Sequence, residues 1–215
     1  MDPKERYEQE RLDSKQQRYM QIIEVAQAVF IRKGIEKTTM QQIAAEANIG
    51  IATVFRYFPQ KQKLITAVAT KKTENTLDLF QNIAAMPITC LEKLEQLFDY
   101  FISHIDLNNE SIKFLEDFES YAAHIAEPLD GAEQLNEMHH NVAQVFFQII
   151  EEGIKDGSIR QDVDVYETLT TLINAFGNFA RKLTLQSNIP YYISKVKPTQ
   201  QLTIIKKIFL DYLKP

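Results

Sequence analysis

The chain has 215 residues, 45% of them hydrophobic, with six Gly, seven Pro, no Trp and one cysteine, Cys90. That length allows one large domain or a small domain joined to a medium one; so few chain breakers oppose an all-β architecture, and a lone cysteine excludes an intrachain disulfide framework. A net charge of −5 argues against nucleic acid when averaged over the chain, yet from Lys15 to Lys72 ten Lys or Arg stand against three Glu, so this window carries +7 and the remainder −12.

The opening stretch MDPKERYEQERLDSKQQRY is charged and lacks the apolar run of a secretory signal. Residues 1–14 read as a frayed helix or a flexible charged arm. No apolar stretch reaches the roughly 18 residues that a bilayer-spanning helix needs, and a cytoplasmic protein is the expectation. The first firm helix follows Ser14 and ends at Gly34, with Ile22, Ile23, Ala26, Val29 and Phe30 as its apolar stripe.

Thr39 then offers an N-cap, and Met40 to Ala47 places Ile43, Ala44 and Ala47 on one face with Gln41, Gln42 and Glu46 on the other. Asn48 tolerates the left-handed backbone of a sharp turn, and Ile49 can plug the corner. After Gly50 a short second helix directs Val54 and Phe58 inward and leaves Ile51, Ala52, Thr53, Arg56 and Tyr57 outward. This is the pattern of a helix-turn-helix, and residues 15–60 are expected to be a DNA-binding domain.

Residues 61–215 read as a helical body. A long helix from Gln60 or Lys61 to about Ala85 would join the two parts, and Pro87 breaks it. Leu91, Leu94, Leu97, Phe98, Phe101 and Ile105 mark the next helix, with a turn at Asn108 and Asn109, and a further helix runs to Glu127 before Pro128. One more amphipathic helix covers Ala132 to Asp156 and is ended by Gly157; Asp164 caps its successor, which continues to about Gln186. NIPYYISKVKP reads as a loop, and Gln200 to Leu213 as the final helix. The fold class expected is all-α.

From Ile22 to Leu64 the order IIEVAQAVFIRKG, TTMQQIAAEANI, ATVFRYFPQK and the pair Lys61 and Leu64 resembles the TetR family of bacterial one-component regulators. Similarity continues more faintly through EEGIKDGSIRQDVDVYETLTTLINAFGN, whereas residues 75–150 share only a helical pattern. Gly50 stands where that family often has Ser, and Phe55 where it often has Tyr. The resemblance implies a three-helix DNA-binding domain followed by a helical domain for ligand binding and dimerisation.

It further implies that Thr39, Tyr57 and Lys61 contact phosphates while Ile51, Ala52, Thr53 and Arg56 face the major groove. Arg56 would either read guanine or touch phosphate alone. A dimer on a pseudo-palindromic double-stranded operator is implied too, joined through Leu172, Phe176 and Phe179 or through Ile205 and Phe209, unless these residues belong to the intrachain core. The aromatic middle region can line an inducer cavity, with Phe98, Phe101, His104, Phe118, Tyr121, His124 and Phe146 as its candidate walls, or can form a filled core.

The expected function is therefore a ligand-responsive repressor, released from DNA by a small apolar or aromatic molecule. The alternative is a DNA-binding adaptor controlled by a protein partner without any inducer. An enzyme is not expected: HExxH, P-loop, nucleophile-elbow and GxGxxG patterns are missing, and adjacent His139 and His140 point about 100° apart on a helix. No cofactor or metal is anticipated.

Overall fold

A computed structural model of the chain describes residues 2–106, 110–125, 129–187 and 196–215. Among the described residues there are nine α-helices and no strand: α1 (Pro3–Lys33), α2 (Met40–Glu46), α3 (Ile51–Tyr57), α4 (Lys61–Ala84), α5 (Cys90–Asp106), α6 (Glu110–Ala123), α7 (Ala132–Asp156), α8 (Val165–Ser187) and α9 (Pro198–Leu213). The all-α expectation holds. None of the described helices is long and apolar enough to cross a membrane. The turn expected at Asn108 and Asn109, the stop at Pro128 and most of the loop before Pro198 lie outside the described residues.

Of the two readings of the start, the helix is the one found: residues from Pro3 onward are helical, because Asp2 forms a complete capping box in which its side chain accepts from the Lys4 N–H at 3.3 Å and Glu5 accepts from the Asp2 N–H at 3.0 Å. Proline at the first helical position strengthens the same start, since its missing N–H would have had no partner there.

Contacts divide the chain into two compact units, Met1–Lys72 with Lys113–Asn136, and Thr73–Ile112 with Glu137–Pro215. The core of the first combines Ile22, Ala26 and Phe30 of α1, Ile43 and Ala44 of α2, Val54 of α3, and Leu64, Ile65 and Val68 of α4. Phe114 and Phe118 of α6 and Leu135 of α7 are buried in the same cluster, with the Phe30 and Phe114 rings 6.4 Å apart. The helices of the first unit thus draw later parts of the chain into their core, beyond the 15–60 span that local periodicity marks out. Each fully buried aliphatic or aromatic side chain of this kind contributes about 1.5–3 kcal/mol through removal from water.

In the second unit Phe80 is the hub. Its ring meets those of Tyr100, Phe101 and Phe146 edge-on at 5.4–5.5 Å, while Phe98 packs on Phe176 at 5.0 Å. Helix α9 lies against α5 and α8. Lys206, 8% exposed, anchors it by donating to Glu95 at 2.9 Å and Asp99 at 2.8 Å on α5. Within α7, Gly153 is required by close approach: a Cβ there would stand 2.6 Å from Ile159 Cδ1, and the Ile159 N–H donates to the Gly153 carbonyl at 2.9 Å.

Candidate nucleic-acid interface

Local chemistry fixes the helix-turn-helix. Thr39 Oγ1 accepts from the Gln42 N–H at 3.2 Å and Gln42 Oε1 accepts from the Thr39 N–H at 3.1 Å, a reciprocal cap that starts α2. The Thr39 hydroxyl remains exposed, with its proton still available as a donor. Asn48 adopts φ +53°, the left-handed turn that an asparagine tolerates, and the following Ile49 N–H donates to the Ala44 carbonyl at 3.0 Å. The Gln21 amide of α1 donates to the Ala47 carbonyl at 3.3 Å, so α1 also holds the corner.

Val54, fully buried, and Phe58, 2% exposed, seat α3 against the core, and Tyr19 of α1 stacks on Phe58 at 5.0 Å. With those two inward, Ala52, Phe55 and Arg56 are exposed, spaced by three and four residues on one outward face. Ile51, Thr53 and Tyr57 flank that face half-buried. The outward set expected from the sequence is therefore brought together on α3. Phe55, 42% exposed, is an addition to it; its spacing of three from Ala52 was the signal. The Arg56 guanidinium lies 5.5 Å from the Tyr57 ring centre, which directs both toward the same end of α3.

Electrostatics around the reader is set by few contacts. Arg32 pairs with Glu46 at 2.9 Å, joining the ends of α1 and α2, and the Arg32 hydrogen bond holds the Glu46 carboxyl below the usual carboxylate range. Lys61 donates to the Glu36 carbonyl at 3.1 Å and lies 5.9 Å from the Tyr121 ring centre. Burial pushes the Lys61 ammonium below its ordinary pKa, against the opposing influence of Glu36. The candidate phosphate ligand at the start of α4 is thus half-buried and pre-positioned.

The other candidate residues separate. Phe98, Phe101 and Phe146 share the aromatic cluster of the second unit, whereas Phe118 and Tyr121 pack in that of the first and His124 is exposed. The His104 side chain lies outside the described residues. A groove of about 380 Å³ does open in the second unit, lined by Leu77, Gln81, Ala84, Asn141, Gln144 and Gln148 among others. Of the dimer candidates, Leu172 at 2% and Phe176 at 4% exposed face inward within their own chain, and Phe179, Ile205 and Phe209 are half-buried. The exposed apolar residues of α8 and α9 include Ile173, Ile204, Ile208 and Tyr212, 42%, 58%, 59% and 49% exposed.

A capped helix, a left-handed Asn corner and a second helix with a polar and apolar outward face define a helix-turn-helix DNA-binding protein. The family model described as "Bacterial regulatory proteins, tetR family" matches residues 22–68, from the second half of α1 into the first third of α4. Residues 22–68 thus carry the DNA-binding domain of the tetR family of bacterial regulatory proteins.

Among its relatives, the HTH-type transcriptional repressor KstR2 of Rhodococcus jostii is 22% identical over 148 residues, covering 69% of this chain and 71% of that protein. The fatty acid metabolism regulator protein of Bacillus subtilis is 24% identical over 156 residues, covering 72% and 77%. In fold, the chain is similar to the transcriptional regulator FadR of Bacillus subtilis solved in complex with stearoyl-CoA, with a TM-score of 0.69, 18% identity, and 91% of this chain and 99% of that one covered.

Proposed function

We propose that this DNA-binding regulator is a repressor that grips a pseudo-palindromic operator as a two-fold dimer and releases it when a small apolar molecule binds its helical body. The observation that carries the reading is the outward Ala52, Phe55 and Arg56 face on a helix held rigidly by Val54, Phe58 and the Asn48 corner. Phosphate donors at Thr39, Tyr57 and Lys61 would fix register, and the outward face would choose sequence, each good base contact being worth about 1–3 kcal/mol.

Dimerisation is supported by an apolar surface facing solvent. Ile204, Ile208 and Tyr212 recur every four residues on α9, and Ile173 lies on α8 one turn before the exposed Gly177, where a side chain would meet nothing within 4 Å. Outward faces of α8 and α9 from two copies can close into a four-helix bundle, which sets the spacing of the two readers.

An acyl-type effector is supported by the relative named for fatty acid metabolism and by the neighbour holding stearoyl-CoA. The aromatic cluster around Phe80 offers apolar walls, and the neutral amides of Gln81, Asn141 and Gln144 offer hydrogen bonds to an uncharged polar group. Binding there would favour a reader spacing that mismatches successive major grooves, with α4 carrying the change because it contributes to both units.

Selection of bound duplexes from a random pool, repeated with long-chain acyl-CoA added, tests the reading. An enriched inverted repeat whose complex dissolves on addition supports it. A featureless pool contradicts operator recognition, and a repeat still bound across apolar ligands favours the partner-controlled adaptor.

A further inference from the structure

Residues 2–18 are exposed throughout, yet α1 runs unbroken from Pro3 through them into the buried Ile22. Packing therefore does not explain why this stretch of helix exists, and its side-chain pattern offers another reason. Lys4, Arg11, Lys15 and Arg18 follow one another at steps of seven, four and three, so at about 100° per residue they fall within an arc of about 60°. Glu5, Glu10 and Asp13 lie well outside that arc, and Glu8 alone borders it, so the stripe with its border carries +3. Arg18 donates to the neutral Gln21 at 3.0 Å and keeps its charge uncompensated by that contact; Asp13 accepts from Gln9 at 2.9 Å.

Lys15 brings the edge of the stripe to the reader. Lys15 and Tyr57 line one groove of about 330 Å³, together with Leu12, Asp13, Gln16 and Tyr19. Tyr57 closes α3 at the end where its hydroxyl would meet phosphate, so Lys15 stands beside that end of the reader.

We propose that the leading helix of α1 is a second DNA-contacting element, laying Arg11, Lys15 and Arg18 on backbone phosphates that flank the bases read by α3. This rests on the operator-binding reading above. From Arg11 to Arg18 the helix rises about 10.5 Å at 1.5 Å per residue, or about three base pairs at 3.4 Å per step. The contact is to phosphates, so it lengthens the footprint without adding sequence preference.

The experiment uses the full chain with R11Q, K15Q and R18Q combined, and with R6Q from the opposite side of the helix as control. Each is titrated against an operator with long flanks and against one trimmed to the bases contacted by α3, over a series of salt concentrations. The expected result on long flanks is a salt slope lower by about two to three, at about 0.9 per phosphate contact, no change for R6Q, and equal binding of native and triple variant on the trimmed operator. Unchanged slope and affinity on long flanks, with Lys61→Ala still weakening binding, overturn this proposal and leave the operator reading intact. A native chain that binds no duplex overturns both. A triple variant that alters sedimentation while leaving DNA binding unchanged assigns the stripe to contact between copies and also overturns it.

Discussion

The Lys61 ammonium stands 5.9 Å from the centre of the Tyr121 ring, which ties the first turn of α4 to α6 beside the DNA-reading surface. Its folded-state pKa is lowered by burial, with Glu36 acting the other way. Phosphate favours the charged form, so operator affinity should fall as pH rises through that lowered pKa, starting below the ordinary lysine range. The folding contribution has the same cause: the folded chain binds fewer protons here than the unfolded one, so stability rises with pH across the window between the two pKa values. Lys61→Ala should abolish the alkaline loss of affinity and flatten the salt slope by about one. Titration of operator binding against pH and salt, native beside variant, checks both.

Phe114 provides a sharper test of how the reader is built. It is buried in the reader's core, with its ring 6.4 Å from those of both Phe30 and Phe118. Phe114→Ala should cost about 3–5 kcal/mol, and operator binding should disappear along the same denaturation curve as the helical signal. A loss well under this range would show that α6 does not support the reading helices.

Gly50 begins α3 without a side-chain cap, at an ordinary φ of −66°, and a Cβ there would meet nothing within 4 Å. Gly50→Ser should therefore raise stability by about 0.5–1 kcal/mol through the cap and a less flexible unfolded chain. The new hydroxyl also points a donor toward the expected phosphate path, so affinity should rise with the melting temperature. Differential scanning and operator titration on the one variant separate the two gains.

Ile204 and Ile208, 58% and 59% exposed, should be more sensitive to charge than their position on a monomer surface suggests. The double change Ile204→Glu and Ile208→Glu should leave the fold intact, yield monomers in sedimentation, and weaken binding to a two-half-site operator far more than to a single half-site. Retained dimers would move the interface elsewhere.

The parts legible in the sequence are those governed by neighbours along the chain. Thr39 caps α2, Asn48 takes the left-handed corner, Asp164 accepts from the Glu167 N–H at 2.7 Å to start α8, and Gly157 takes φ +80° just after α7. What escaped depends on partners far away. Phe114, Phe118 and Leu135 have helical spacing that fits either core, and only the fold assigns them to the reader. Leu172 and Phe176 attract an interface assignment because they are large and apolar, but the monomer buries that face of α8 and presents Ile173 instead. The capping box at Asp2 and Glu5 was readable, and the dense charge after it left helix and arm both open.

The most direct test of the central claim, that the outward face of α3 chooses the operator, is the ratio of affinity for the selected inverted repeat to affinity for random duplex at one salt concentration. It should be measured for the native chain and for the double variant Phe55→Ala with Arg56→Ala, both residues exposed and outside the core. The account predicts that the variant keeps most of its binding to random duplex while its preference for the repeat drops by about 1–3 kcal/mol for every base that is no longer read. A variant that retains the native preference, whatever its absolute affinity, would contradict it.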